Sequence, residues 1–147
     1  MKVLVQRSLN ASVSVNGKVV GKIDNGLVLL VGFTDKDSSN EIDYMVDKVI
    51  NLRIFDDEDG VMNKSLVDVG GSILSISQFT LYADTRKGRR PSYINALNGD
   101  KAGLLYNEFN SKLSKRDIHV ETGIFGADMK VSLVNNGPVT IMLEKEN

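Results

Sequence analysis

The spacing of apolar and polar residues predicts a chain built mostly from strands. Asn16-Gly17 separates two runs that alternate with a period of two, and this is a strong hairpin signal. The run GLVLLVG over 26–32 is continuously apolar, which is typical of a strand buried on both faces. Strands are predicted over 2–7, 11–15, 18–23, 26–32, 52–55, 72–81, 117–122, 130–135 and 139–144.

Two segments change to a helical period. Over 40–52 one helix face carries apolar residues, and Ser38, Ser39 or Asn40 precedes it as a candidate cap. A second helix is predicted over 100–113. The order ββββ-α-β-β-α-βββ predicts a single α/β domain over 1–147 with a mixed sheet. A sheet with so many strands and only two main helices must curl into a barrel-like shape, close or dimerise to cover its faces and edges.

Composition narrows the class of protein. The 147 residues are 41% hydrophobic and 25% charged, as in ordinary soluble domains. No apolar run approaches the ~20 residues of a membrane span, and the start MKVLVQRS lacks a signal-peptide cleavage site, so a cytoplasmic protein is expected. Because the net charge is −1, the chain could bind nucleic acid only through a local patch of positive charge.

The sequence lacks the residues that several kinds of active or metal-binding site require. The chain has no cysteine, which excludes disulfides, thiolate zinc sites and cysteine nucleophiles. Its one histidine, His119, lies in the alternating run DIHVE and is expected on a strand surface. The acidic run FDDEDGVMNKSL has Phe55 and Leu66 where a calcium loop needs its first and twelfth oxygen ligands. No Gly-rich phosphate loop is present.

Three stretches carry residues that suit a binding site, and each has a plainer interpretation. In ISQFTLYAD, over 76–84, hydroxyl and amide side chains either line a pocket or satisfy the backbone at a strand end. In TRKGRRPSY, over 85–93, four cations beside an aromatic suit phosphate contacts or form a solvated loop. In NNGPVT, over 135–140, proline removes an N–H and leaves rigidly aimed carbonyls, or simply makes a turn.

Together these stretches resemble a known family. SQFTL, NNGPVT and GIFGADMKVSL over 123–133 are similar to D-aminoacyl-tRNA deacylase, the D-Tyr-tRNA deacylase family. The likeness runs from the MKVLVQR start through the Asn-Gly hairpin and GLVLLVGFT to the final strand. Ser8 and Asn136 depart from the family pattern, in which a hydrophobic residue and an aspartate are common at these places.

The resemblance implies a homodimer in which the Gly137-Pro138 pair, in cis, reaches into the partner's active site. Its two carbonyls would face the α-carbon of the aminoacyl group and leave no room for an L side chain. D-amino acids and glycine would fit, so selectivity would come from excluding L. An arginine near the N-terminus braces the pair in the family, and Arg7 occupies that place.

The resemblance also implies a reaction, which is hydrolysis of the ester between a D-amino acid and the 3′ ribose of tRNA. Ser77, Gln78, Phe79 and Thr80 would form the pocket floor and offer backbone N–H groups to the ester carbonyl. Phe125, Gly126 and Met129, in the stretch 125–129, would receive the terminal adenosine.

The catalytic candidates are Thr80 and Gln78. No histidine or lysine lies beside Thr80 in sequence to activate it as a nucleophile, so the tRNA's own 2′-hydroxyl is expected to assist. The expected partners are D-aminoacyl-tRNA, glycyl-tRNA and a second copy of the chain. No membrane, DNA, metal or organic cofactor is expected.

Two rival functions are compatible with the residues. A non-catalytic RNA-binding module would need only the basic stretch, and it would bind D-aminoacyl-tRNA without releasing amino acid. A small esterase with a Thr or Ser nucleophile would hydrolyse free D-amino acid esters through an acyl-enzyme.

Overall fold

A long antiparallel hairpin forms the centre of the molecule. In the computed structural model, which describes residues 1–146, β1 (Lys2–Val15) and β2 (Lys18–Gly32) are joined at Asn16-Gly17, both with positive φ. The predicted hairpin is confirmed. The chain continues through α1 (Ser39–Asn51), β3 (Phe55–Asp56), β4 (Met62–Lys64), α2 (Leu66–Val69), β5 (Ser72–Ser77), a 3₁₀ helix (Phe79–Tyr82), α3 (Gly99–Ser114), β6 (Val120–Thr122) and β7 (Lys130–Glu144).

The prediction that each hairpin arm is two strands is wrong. In β1 an irregular pairing around Asn10, whose φ is 50°, lets the strand bend without ending. In β2 the bend falls at Gly26, with φ 150°, where a side chain would collide with the backbone of Ser72. Irregular pairing and a glycine therefore bend these strands where the sequence suggested breaks.

The sheet is mixed, as predicted, and has five strands in the order β6-β5-β2-β1-β7. β2 pairs with β1 antiparallel and with β5 parallel, and β5 pairs with β6 parallel. α1 and α3 cover one face over a core that includes Val5, Leu29 and Phe109. A second, smaller cluster of apolar residues lies on the opposite face and joins the bent part of the hairpin to β5. Its members are Ala11, Val13, Ile23, Val28, Leu74 and Ile76.

The sheet curls but does not close. Within residues 1–146, β6 and β7 remain its two edges, so the barrel-like prediction is wrong about closure. The bent end of β2 approaches β6 closely. A methyl group on Gly21 would lie 2.7 Å from the Thr122 carbonyl oxygen. The absence of a side chain at Gly21 therefore lets the two strands lie this close together.

Both predicted helices are confirmed, and a third, α2, was missed because it spans only Leu66–Val69. α1 is capped by Ser38, one of the predicted caps, and buries Ile42, Met45 and Ile50 against the sheet. None of the helices in the described chain is both long and apolar enough to cross a membrane.

Other strand predictions also need correction. The strand over 52–55 shifts to Phe55–Asp56, because residues 52–54 form the connection from α1. The run 72–81 is a strand only to Ser77, because the chain then turns into the 3₁₀ helix. The strand over 117–122 shortens to Val120–Thr122. The strands over 130–135 and 139–144 are one strand, β7, which runs through the Gly-Pro pair and pairs with β1 on both sides of it. NNGPVT is therefore a bulge in an edge strand, and the plain-turn interpretation is wrong.

Candidate active site

Two adjoining pockets open where β5 ends. Ser77 is the last residue of β5 and pairs with Val31 near the end of β2, so the carboxyl ends of two parallel strands meet here. The larger pocket has a volume of about 320 Å³ and the smaller one about 230 Å³. Ser77, Phe79 and Gly126 line both pockets. The structure thus brings the SQFT segment and the stretch 125–129 together at one site.

The larger pocket is mostly apolar. Phe79 and Phe125 line it together with the start of α3 and residues beside the end of β2, namely Val31, Gly32, Phe33, Leu97, Asn98, Gly99 and Ala102. Sequence reasoning missed these seven residues. They come from separate elements, and nothing in their local pattern distinguishes them from ordinary core and cap residues.

Phe125 is held in place by α3. A methyl group on Gly103 would lie 3.5 Å from its ring, so the glycine lets the ring lie close to the helix. The ring centroid of Phe125 is 6.0 Å from that of Tyr106. Burial raises the pKa of Tyr106, and its hydroxyl donates to the Ser75 carbonyl at 2.7 Å. This bond fixes α3 to β5 two residues before Ser77.

The smaller pocket contains the more polar side chains. Gln78 and Met129 line it, and neither lines the larger pocket. The Gln78 side-chain amide donates to the Thr80 hydroxyl. Thr80 lines neither pocket, although the hydrogen bond links it to the wall of the smaller one.

The backbone of the SQFT segment offers two free donors. The Gln78 N–H donates to the Val31 carbonyl at 2.7 Å and is therefore occupied. The N–H groups of Phe79 and Thr80 begin the 3₁₀ helix, where no intrahelical acceptor precedes them, and neither bonds another backbone carbonyl within 1–146. These two amides are the segment's candidates for an oxyanion site.

The lining of both pockets is free of ionisable side chains, as far as the described residues define it. His119 is 66% exposed and lies 3.2 Å from a Glu121 carboxylate oxygen, on the surface as predicted. In the described chain, His, Asp and Glu form no cluster of three or more that could hold a metal ion. Acid–base side chains are thus missing from the lining of both pockets in the described chain.

Arg7 lies under the Gly-Pro bulge and is buried. Its Nε donates to the Asn136 carbonyl at 2.9 Å. Its Nη1 donates to the Ile54 carbonyl at 2.9 Å and to the Asp56 carboxylate at 3.2 Å. The guanidinium therefore fixes the residue before Gly137 to the loop between α1 and β3.

The bulge itself faces solvent. The Gly137-Pro138 peptide is cis, and both residues are exposed. Asn135 spans the bulge, because its Oδ1 accepts from the Val139 N–H at 3.0 Å and its Nδ2 donates to the Thr140 hydroxyl at 2.7 Å. Neither pocket of the same chain includes Gly137 or Pro138 in its lining.

The segment 85–91, which carries Arg86, Lys87, Arg89 and Arg90, is here called the basic loop. It lies beside the pockets. Arg86 forms hydrogen bonds with Asp84, which hold the pKa of that carboxyl at about 2. The loop leaves the 3₁₀ helix and returns through paired backbone bonds between Asp84 and Ser92. The ring of Tyr93 then packs edge-on against Phe79, with centroids 5.1 Å apart.

Sequence comparison places this geometry in a family. The family model described as D-Tyr-tRNA(Tyr) deacylase matches residues 4–144. A D-aminoacyl-tRNA deacylase of Bacillus cytotoxicus is 56% identical over 99% of this chain and 100% of the relative. One of Thermus aquaticus is 53% identical over 98% of this chain and 95% of the relative.

Solved structures agree with the fold. A structure named c-Myc DNA Unwinding Element Binding Protein superposes with a TM-score of 0.94 at 40% identity, covering 100% of both chains. A probable eukaryotic D-amino acid tRNA deacylase superposes with a TM-score of 0.83 at 20% identity over 97% of both chains, which supports the fold alone.

Proposed function

This chain belongs to the D-Tyr-tRNA(Tyr) deacylase family and is a hydrolase, and we propose that it hydrolyses the ester between a D-amino acid and tRNA. The observation that carries the proposal is the pair of adjoining pockets without an ionisable side chain. Such a site suits a substrate that brings its own reactive hydroxyl. Because that substrate is tRNA, the cytoplasm is the compartment in which we place the enzyme.

The two pockets match the two parts of the substrate. The larger, apolar pocket takes the terminal adenosine, because Phe125 offers a ring face for stacking. The smaller pocket, beside Gln78, takes the aminoacyl group; Met129, which the resemblance assigned to the adenosine, lines this pocket instead. The ester then lies over Ser77 and Phe79, which line both pockets.

In the proposed reaction, water adds to the acyl carbon and the bond to the ribose 3′ oxygen breaks. The free amides of Phe79 and Thr80 stabilise the negative charge on the carbonyl oxygen. The neighbouring 2′-hydroxyl passes the proton from the attacking water to the leaving 3′ oxygen. The products are the free amino acid and intact tRNA, and no protein side chain has to change its protonation state.

Chiral selection belongs to Gly137-Pro138 of a second copy of the chain. The pair is exposed and does not line its own pockets, which suits insertion into a partner's site. β7 is an edge strand with exposed apolar residues, Val134 and Met142, and such an edge favours association with another chain. The carbonyls of the pair would exclude an L side chain and admit a D side chain or glycine, so glycyl-tRNA is a second substrate.

Deacylation of matched tRNAs tests this function. The parent should release amino acid from D-tyrosyl-tRNA and glycyl-tRNA but not from L-tyrosyl-tRNA. Binding without release would instead identify an RNA-binding module. Hydrolysis of free D-amino acid esters through a trapped acyl-enzyme would identify an esterase.

The chemistry is tested by removing each candidate hydroxyl. Thr80→Ala should retain activity within about tenfold, because its hydroxyl accepts from Gln78 and has no neighbouring base. A tRNA ending in 2′-deoxyadenosine should react about 100-fold more slowly or worse, which is the usual contribution of a positioned proton-transfer group. An inactive Thr80→Ala variant together with normal turnover of the deoxy substrate would contradict the RNA-assisted mechanism.

A further inference from the structure

The basic loop carries three exposed cations without carboxylate partners. Arg86 is paired with Asp84, whereas Lys87, Arg89 and Arg90 form no ion pair with another residue among 1–146. The chain as a whole has a net charge of −1. The loop is therefore a local concentration of positive charge in a nearly neutral protein.

The fold fixes this charge beside the pockets. Two backbone hydrogen bonds between Asp84 and Ser92, of 2.8 and 2.9 Å, close the base of the loop. One end of the loop continues into the 3₁₀ helix, and the other leads into Tyr93, whose ring contacts Phe79. Phe79 lines both pockets, so the base of the loop lies one aromatic contact away from them.

The pockets themselves cannot hold phosphate by charge, because the side chains that line them are uncharged within the described chain. An aminoacylated 3′ nucleotide bound there would still be attached to the phosphodiester backbone of the preceding nucleotides. That backbone must leave across the pocket rim, and cations at the rim are the groups that bind it most effectively.

We propose that Lys87, Arg89 and Arg90 bind the phosphates of the single-stranded 3′ end of tRNA as it enters the pockets. The proposal rests on the proposed function for the identity of its ligand. Phosphate contacts carry no base information, so the loop should strengthen binding of all tRNAs alike. It explains how an uncharged site distinguishes aminoacyl-tRNA from a small aminoacyl ester.

The test compares two triple variants that each remove three positive charges. The first is Lys87→Ala/Arg89→Ala/Arg90→Ala. The matched control is Lys18→Ala/Lys22→Ala/Lys115→Ala, whose exposed residues lie at the start of β2 and after the end of α3. Binding of uncharged tRNA and the KM for D-tyrosyl-tRNA are measured at several salt concentrations, with D-tyrosyl-adenosine as a substrate that lacks phosphate.

The loop variant should bind tRNA roughly 10- to 50-fold more weakly near 0.15 M salt, and its salt dependence should flatten by about 2 in log–log slope, because each single-strand phosphate contact contributes about 0.7. The loss should be much smaller with D-tyrosyl-adenosine. The control variant should behave as the parent does.

An unchanged Kd and salt slope in the loop variant would overturn the proposal. Equal losses in both triple variants would also overturn it, since they would show only a general charge effect. A changed sedimentation mass of the loop variant would reassign the loop to subunit contact. If the parent binds tRNA but releases no amino acid, the proposed function fails, while the loop's contribution to binding is still measured.

Discussion

At the scale of single residues, Gly137 is the most constrained position near the proposed site. Its φ of 132° is a conformation that side chains rarely adopt. A methyl group there would lie 2.9 Å from a Val139 methyl and 3.0 Å from the Arg7 guanidinium. Arg7 cannot easily move away, because it is buried and holds the Asn136 and Ile54 carbonyls. The bulge therefore depends on the absence of a side chain.

Gly137→Ala should reduce deacylation of D-tyrosyl-tRNA at least tenfold and weaken the rejection of L-tyrosyl-tRNA. The added methyl must displace either the bulge or the guanidinium beneath it. Gly60→Ala is the matched control, since Gly60 also has positive φ, 75°, but has open space around it and lies between β3 and β4. Gly60→Ala should lose about 1–2 kcal/mol of unfolding free energy from the backbone conformation. Gly137→Ala should lose more, because its methyl also meets Val139 and Arg7.

Kinetics and urea unfolding of the two variants separate the two effects. An activity defect only in Gly137→Ala, under conditions in which urea unfolding shows that both variants are folded, would support a role for the bulge in the reaction. If Gly137→Ala kept full activity and full discrimination, the bulge would have no part in chiral selection.

At the scale of elements, the start of α1 combines two reciprocal hydrogen bonds. The Ser38 hydroxyl caps the helix, and the Glu41 carboxylate accepts from the Ser38 N–H at 2.7 Å and from its hydroxyl at 2.8 Å. Hydrogen bonding to Ser38 lowers the pKa of Glu41 below its ordinary value of 4.5, and burial opposes the shift. The ionised form of Glu41 is therefore the one that stabilises the fold.

The free energy of unfolding should depend on pH through this group. Because the folded pKa is lowered, the contribution is complete above pH 4.5 and is lost as the pH falls from there through the folded pKa. Glu41→Gln should remove that pH dependence and cost about 1 kcal/mol at pH 7. Urea unfolding between pH 3 and pH 7 measures both effects, with the exposed Asp24→Asn as the control. A parent-like pH profile in Glu41→Gln would show that the capping box carries no charge-dependent stability.

The elements also show what the sequence can predict. α1, α3 and the Asn16-Gly17 hairpin were predicted because their signals are local, in a helical period, a cap or a turn pair. The breaks predicted in the two hairpin arms and in β7 were wrong because polar residues and glycines that usually end a strand here bend it instead. Only pairing with β1 and β5 distinguishes these cases, and that pairing is not local in sequence.

The residues of the candidate site show the same difference between local and non-local signals. The SQFT segment was a pocket candidate from its own polar side chains, and the stretch 125–129 was identified through the family resemblance. The structure brings the two stretches into shared pockets. Asn98 and Gly99 were missed because a cap residue and a glycine at the first position of a helix, here with φ 73°, have an ordinary structural explanation. Gly137-Pro138 lies outside the pockets of its own chain, as the resemblance implied, and the strand order gives the physical reason because it leaves β7 at the edge.

At the scale of the whole molecule, the two pockets and the Gly-Pro bulge of one chain lie apart from each other. The pockets lie where β5 and β2 end, while the bulge projects from the edge strand β7 with β1 and β2 between it and β5. Exposed apolar residues on β7 and the exposed bulge fit a second copy of the chain. In a symmetric dimer each bulge would complete the partner's site, so two sites would form together.

A mixed dimer tests this arrangement directly. Ser77→Phe should block both pockets of its subunit, because Ser77 lines both, and Gly137→Ala should damage the bulge of the other. Each variant alone should be nearly inactive. In a heterodimer isolated through two different C-terminal tags, the intact pockets of one subunit would meet the intact bulge of the other, so about half of the parental activity should return in a symmetric pair. Circular dichroism and sedimentation of each variant check that folding and association are kept. If the bulge instead served the pockets of its own chain, no site in the heterodimer would be intact, and activity would stay at the level of the separate variants.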